Sequence, residues 1–407
     1  MKAVAVILIA VLLLAGFLVF IAPPARAAFP LPAKVKTIAV GLGPYMSHYA
    51  SLTGQTWVGN IVSNNISVIQ DANLTVVHTV SSPGPSGIDI AQTSPTTGQV
   101  WVASRANGTV RAYGEANFTL LKTLGVGHYP ERLETDTVNN TEWVANQYSG
   151  NLSIISLSSL TVIRSVSLGA NAAPYGITFD AATNQMWVTA QNTSRILVIG
   201  ASNYTVAINV TAHGTSPAGI CYDGNGGIWY PNVASGTAIE LSAKTGALLA
   251  SVTVGTSPYA AACDSNAYYA IIANSGSHNA TIINESSHSI VATIQVGSSP
   301  FSTRAFDPVR DLIFVPNYGS ANVTVIFDGV TTPPSTGSQG PANNGTPPDT
   351  TPTSGTGTGN GSYAGAFGPS PTPFWEGTGG LFLLGAAIIG LLYYGVSASI
   401  ESAARRR

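Results

Sequence analysis

Seven side chains follow the Pro-containing turns that punctuate this 407-residue chain: Tyr45, Glu131, Arg132, Tyr175, Tyr259, Phe301 and Arg304. Aromatic faces beside guanidinium groups and a carboxylate can stack on a sugar and hydrogen-bond it, or hold an anion. The plainer reading of the same residues is that they fill the inside of a closed ring. Other chemistry is scarce. There is no His-Glu-x-x-His, Cys-x-x-Cys, Gly-x-Ser-x-Gly or P-loop pattern, so no cofactor is expected. His48, His78, His128, His213, His278 and His288 show no metal-ligand spacing, and no metal is expected; only His48, His128 and His213 lie near opening turns. Asp136, Asp180, Asp223, Asp264 and Asp307 recur beside turns, where an Asp side chain holding backbone N–H groups is the economical role. "DGNGG" at Asp223–Gly227 has a faint calcium-loop look but too few ligands.

These residues are positioned by a repeat. Trp57, Trp101, Trp143, Trp187, Trp229, Ile271 and Phe314 occupy one repeat position, each 42 to 44 residues after the last. Around each, period-2 runs such as "NLSIISL" (Asn151–Leu157) alternate with Gly, Ser, Asn and Pro turns. A period in the low forties built of short strands predicts one four-stranded blade per repeat, and seven units fit between Gly43 and Gly329. The seventh unit lacks an outer strand. "KTIAVG" (Lys36–Gly41) matches the outer-strand segment "ATIQVG" (Ala292–Gly297), so the N-terminal strand is predicted to complete the last blade. The fold class is therefore an all-β, seven-bladed propeller over residues 34–330.

The segments Trp57-Val58-Gly59-Asn60, Trp143-Val144-Ala145-Asn146, Trp229-Tyr230-Pro231-Asn232, Ile271-Ile272-Ala273-Asn274 and Phe314-Val315-Pro316-Asn317 resemble the Tyr-Val-Thr-Asn (YVTN) propeller repeat of many archaeal and bacterial cell-surface proteins. Ser104 and Ala190 depart from its Asn. The resemblance implies a seven-bladed propeller and, by association with surface-layer members, an envelope role; it implies no chemistry. The large residue of each segment is expected to pack between blades, and the Asn to serve the tight turn that follows.

Cys221 and Cys263 each lie eight residues before the repeat position, hence at equivalent places on neighbouring inner strands. Outside the cell a disulfide is permitted. It requires Cα atoms within about 7 Å, and the expected strand spacing favours two small buried thiols. Fourteen Asn-x-Ser/Thr sequons are present. Asn65, Asn151, Asn279 and Asn322 fall at the start of the third strand, with Asn107 two residues earlier; Asn73, Asn117 and Asn203 fall at the turn into the outer strand. Glycans on some of these exposed turns would keep wet a surface in which only 8% of residues are charged. No sequon falls in the Pro-containing turns, so the mouth of the ring is expected to stay uncovered.

The ends set the address. Residues 1–27 read as a signal peptide with an Ala25-Arg26-Ala27 cleavage site. Residues 331–377 are a Pro/Thr/Gly/Ser-rich stalk, 378–400 an apolar stretch long enough to cross a bilayer, and 401–407 a basic cytoplasmic tail. A net charge of −2 without a basic run excludes nucleic acid as a partner. The expected protein is a glycosylated propeller, anchored in the cell membrane by one span and exposed outside. It would bind a cell-surface protein or glycan through its channel mouth without turnover. The alternatives are a propeller enzyme of lyase or quinone-dependent dehydrogenase type, and a protein capturing a small ligand for a transporter.

Overall fold

The computed structural model describes residues 31–94 and 97–329. The signal, stalk, span and tail readings lie outside these residues; among the described residues no helix is long and apolar enough to cross a membrane. The described chain forms seven four-stranded antiparallel sheets arranged as a seven-bladed β-propeller. Blades 1 to 6 each use four consecutive strands, running from Pro44 to Ser81, Pro85 to Gly125, Pro130 to Ser167, Pro174 to Thr211, Cys221 to Thr253 and Pro258 to Gln295. Blade 7 has three late strands, Ala305–Asp307, Leu312–Asn317 and Asn322–Phe327, and takes its outer strand from Ala33–Ala39. The predicted closure holds: Ala33 pairs with Phe327 and Ala39 with Asn322. This leaves the ring without an open edge between first and last blades.

The repeated large residue is the bolt between blades. Trp57, Trp101, Trp143, Trp187, Trp229 and Phe314 are fully buried, and Ile271 is 1% exposed. Each packs against the second and third strands of the following blade. Trp57 meets Val100 and Val102, Trp101 meets Val144 and Ile155, and Phe314 meets Val58 and Ile69 across the closing junction. The alternating strand pattern sends one face of every blade to each neighbour. The core is thus seven apolar junctions around a ring. A second contact comes from the turn into the outer strand, where Leu74, Phe118, Leu160, Tyr204 and His288 adopt positive φ. Phe118 reaches back to Trp57 at 5.4 Å between rings, Tyr204 to Trp143 at 5.7 Å and His288 to Trp229 at 6.1 Å.

The Asn of the repeated segment does not serve a turn. Asn60, Asn146, Asn274 and Asn317 are fully buried at the end of the second strand. Each Nδ2 donates to two acceptors on the third strand: Asn65 and Ser67, Asn151 and Ser153, Asn279 and Thr281, Asn322 and Thr324, all at 2.8–3.0 Å. Those acceptor pairs spell Asn-x-Ser/Thr. Four sequons therefore coincide with a structural latch that satisfies a buried amide. Gly41 and Gly127, two residues past the preceding outer strands, lie against this amide, where a Cβ would come within 2.7 Å of Asn60 or Asn146.

The cysteines are bonded, with Cα atoms 5.7 Å apart, which corrects the expectation of two thiols. The reason is register. Cys221 pairs with Trp229, whereas Cys263 pairs with Ala270, one place off the equivalent Ala262–Ile271 pair. The Asp223–Gly227 turn of blade 5 is one residue short, so the two cysteines point from facing sides of adjacent strands and meet. Equivalent positions would have pointed the same way round the ring. Such a bond fits an extracytoplasmic location.

Candidate functional site

Each inner strand begins at one end of the channel, beside the turn joining second and third strands. That end is the mouth. Just before the Pro of each opening turn stands a residue with φ between 48° and 65°: Gly43, Gly84, Tyr129, Ala173, Ser216, Ser257 and Ser299. Just after it come Tyr45, Ser86, Glu131, Tyr175, Ala218, Tyr259 and Phe301. Five of the seven residues singled out from sequence, Tyr45, Glu131, Tyr175, Tyr259 and Phe301, line one concavity of about 370 Å3. Tyr45 and Tyr175 join hydroxyls at 3.0 Å, and Phe301 packs between Tyr45 and Tyr259 at 5.2 and 4.9 Å. Burial, then the nearby Glu131 carboxylate, pushes the Tyr45 hydroxyl pKa well up.

Arg132 and Arg304 lie beneath this cup. Arg132 is 3% exposed, with its guanidinium over the Tyr175 ring at 5.0 Å and Nη2 directed to the Phe301 carbonyl. Arg304 reaches across the channel from blade 7 to blades 2 and 3. It donates to the Leu133 carbonyl at 2.8 Å, pairs with Glu134, and approaches Asp89 at 3.4 Å. Blade 7 has one extra residue between Pro300, which bridges to Asn317, and Ala305, which pairs with Phe314. The extra residue is what frees Arg304 to project inward. His48 completes the floor, 3.2 Å from Asp89. Burial opposes the Asp89 charge, but Arg304 and then His48 prevail and hold the carboxyl below its usual value. Glu142 is held well above it, by burial and then by Asp89. The single Thr135 hydroxyl lies 2.7 Å from Asp89 and 2.8 Å from Glu142, so a protonated Glu142 resolves the contact.

Sequence reasoning missed Arg105, Gln147, Gln191 and Tyr318, which also line the cup. All four stand four residues after the repeat position, on turns rising beside the opening turns. A column at that offset was available to be read. Arg105 pairs with Glu131 at 3.0 Å and lies over the rings of Tyr45 and Tyr129 at 4.7 and 5.2 Å. Burial raises the Glu131 pKa, with Arg105 pulling the other way. A second concavity of about 250 Å3 adjoins the first through Arg105 and Tyr129, and adds His128, Tyr148 and Asn107. Asn107 is a sequon asparagine, so the mouth is not free of sequons. Asn73, Asn117 and Asn203 are exposed at the other end, each accepting from the hydroxyl of Thr75, Thr119 or Thr205 at 2.6–2.9 Å. Among the described residues no cluster of three His, Cys, Asp or Glu side chains is arranged to hold a metal ion, and His48, His128 and His213 are not gathered into one.

The far end of the channel is built of acids. Asp136, Asp180, Asp264 and Asp307 each accept N–H groups two and three residues on, the turn-holding role expected of them. At three successive junctions a second buried carboxylate faces one of these turns. Asp71 lies near Asp307, Asp328 is hydrogen-bonded to Asp264, and Glu285 stands near Asp223 and Glu240. Burial and then repulsion from Asp223 and Glu240 push Glu285 up to about 9. Asp71 rises to about 7, chiefly through burial, with Thr56 opposing and Asp307 adding.

No protein-family model matches the chain, and no curated protein does. Among solved structures it is similar to the hydrazine synthase of Kuenenia stuttgartiensis, at 15% identity and TM-score 0.62 over 70% of this chain and 95% of that one. It is also similar to a catalytically inactive virginiamycin B lyase from Staphylococcus aureus solved with quinupristin, at 16% identity and TM-score 0.60 over 72% and 99%. A streptogramin B lyase gives 14% identity and TM-score 0.61 over 72% and 96%. At such identities the likeness is one of fold: a seven-bladed propeller similar to those of these proteins.

Proposed function

We propose that this protein is a cell-envelope or adhesion component of the YVTN type, anchored by its C-terminal apolar segment and glycosylated on exposed turns. It binds a cell-surface protein or glycan through the channel mouth without turnover. The observation carrying this reading is the cup itself. Tyr259, Phe301 and Tyr318 offer partly exposed aromatic faces, while Arg105 and Arg304 are engaged with Glu131, Glu134 and Asp89. Such a surface offers contact area and orientation. The Cys221–Cys263 bond and the leader-like residues 1–27 support an external address. Cross-linking mass spectrometry on intact cells tests it. Links from mouth-face peptides to copies of this chain or to another surface protein are expected, and recovery of the protein as a soluble cytoplasmic species would sink the reading.

A second reading, a lyase, draws on the likeness to the virginiamycin B and streptogramin B lyases. His128 and Glu131 reach the mouth, but Arg304 is held on the floor by Asp89 and Glu134. Turnover abolished by changing His128 or Glu131 would promote it over the first.

A further inference from the structure

Tyr148 is 68% exposed and stacks on Tyr129, with ring centroids 4.1 Å apart and planes 11° from parallel. Tyr129 holds φ 58° at a position where the other six blades use Gly, Ala or Ser. The positive φ itself is shared by every opening turn; what sets Tyr129 apart is a large aromatic side chain at that position. The stack presents one flat aromatic face outward. Beside it, Gln147 Nε2 donates to Gln191 Oε1 at 3.0 Å, which leaves the Gln147 carbonyl and the Gln191 amino group facing the cup as an adjacent acceptor and donor. Glu131 borders the same cup but is only 1% exposed, its carboxylate held against Arg105 and Tyr45. The Arg105 charge is already matched by Glu131.

We infer that the two adjoining concavities at the mouth form a binding site for a neutral oligosaccharide. One pyranose ring lays its C–H face on Tyr148, and hydroxyls of the next meet Gln147 and Gln191. Neutrality follows from the charges: an anion would meet the buried Glu131 carboxylate or have to break its bond to Arg105, and a cation would meet Arg105. Vicinal hydroxyls, each a donor and an acceptor, match the amide pair. The inference rests on the mouth being the binding face. The sugar has two available sources, a glycan of the cell surface or the chain's own glycan at Asn107, whose side chain borders the Tyr148 concavity.

The test uses the full chain, purified from its native membrane, on immobilised neutral gluco-, manno- and galacto-oligosaccharides beside sialylated and uronic ones, then calorimetry with the tightest binder. Expected are binding to a neutral series, a preference of at least tenfold over acidic sugars, and roughly tenfold weakening by Tyr148→Ala and by Gln147→Ala, with melting temperatures unchanged. Asn107→Gln separates the sources. Binding gained only in that variant means that the chain's own glycan fills the site; equal binding means an external one. Absence of neutral-sugar binding in both forms, an acidic preference, or indifference to Tyr148→Ala overturns the inference. Mouth-face cross-links on cells without sugar binding would sink this inference alone. Sugar binding by a protein found in the cytoplasm would sink only the envelope reading.

Discussion

The two ends of the channel handle buried charge in opposite ways. At the mouth, carboxylates mostly meet cations: Glu131 meets Arg105, Asp89 meets His48 and Arg304, and Glu134 meets Arg304, with Glu142 beside Asp89 the exception. At the far end carboxylates face carboxylates at three successive junctions. Arg310 stands beside Asp307 at one and His288 beside Glu240 at another, while Asp71 and Glu285 have no ion-pair partner among the described residues. A buried pair of opposite charges is costly to break, so the mouth keeps its shape over the range in which its acids stay ionised. A buried pair of like charges is tolerable only while one member holds a proton. The contrast predicts a propeller whose binding end is fixed and whose other end responds to pH.

The largest break in this contrast comes from Arg304→Ala, which leaves Asp89 and Glu134 buried without their shared cation. A loss of about 3–5 kcal/mol is expected in urea unfolding at pH 7. The loss should shrink at pH 3, where both acids can take up protons. A loss below about 1 kcal/mol at pH 7 would mean that the crossbar is dispensable.

The far end gives the opposite sign. The folded-state values of Asp71 and Glu285, about 7 and about 9, exceed their unfolded values near 4. Their stabilisation is therefore complete below pH 4 and is lost as pH rises through 7 and then 9. The depressed Asp89 works the other way and sets the acid limit. Thermal melts should peak between roughly pH 3 and pH 5 and fall towards pH 9. Glu285→Gln should add about 2 kcal/mol at pH 8 and nothing at pH 4. A flat profile would end the contrast.

A neutral contact supplies the reference. Asn146→Ala removes the amide donor to Asn151 and Ser153, and should cost about 1–2 kcal/mol equally at pH 4 and pH 8. The smallest effect belongs to Arg310, 34% exposed and paired with Asp307 at 2.8 Å. Arg310→Ala should cost under about 1 kcal/mol and become undetectable in high salt.

The fold was legible because its determinants are local and repeated. Trp57 and its equivalents mark the second strand, and the match of Lys36–Gly41 to Ala292–Gly297 marks the missing outer one. The departures are where the repeat slips by one residue. The short Asp223–Gly227 turn flips Cys221 against Cys263, and the extra residue before Ala305 throws Arg304 across the channel. Averaging over repeats hides both. The sequons at Asn65, Asn151, Asn279 and Asn322 carry a second role that pattern alone does not show, because the Oδ1 of each accepts from an Asn five residues earlier on the second strand. Arg105 and Tyr148 sit on the turns between second and third strands, where the residue type varies from blade to blade and leaves no repeated residue as a signal.

Closure by the first strand also fixes the order of events as the chain folds. Ala33–Ala39 is the earliest described strand to be made, and its partner, Asn322–Phe327, is the last. Until that partner arrives the ring stays open and the early strand waits with a bare edge, an invitation to pair with another chain. Four lysines occur among the described residues, and two of them, Lys34 and Lys36, stand in this one strand. Two positive charges on one short strand are what would discourage such a waiting edge from joining a stranger.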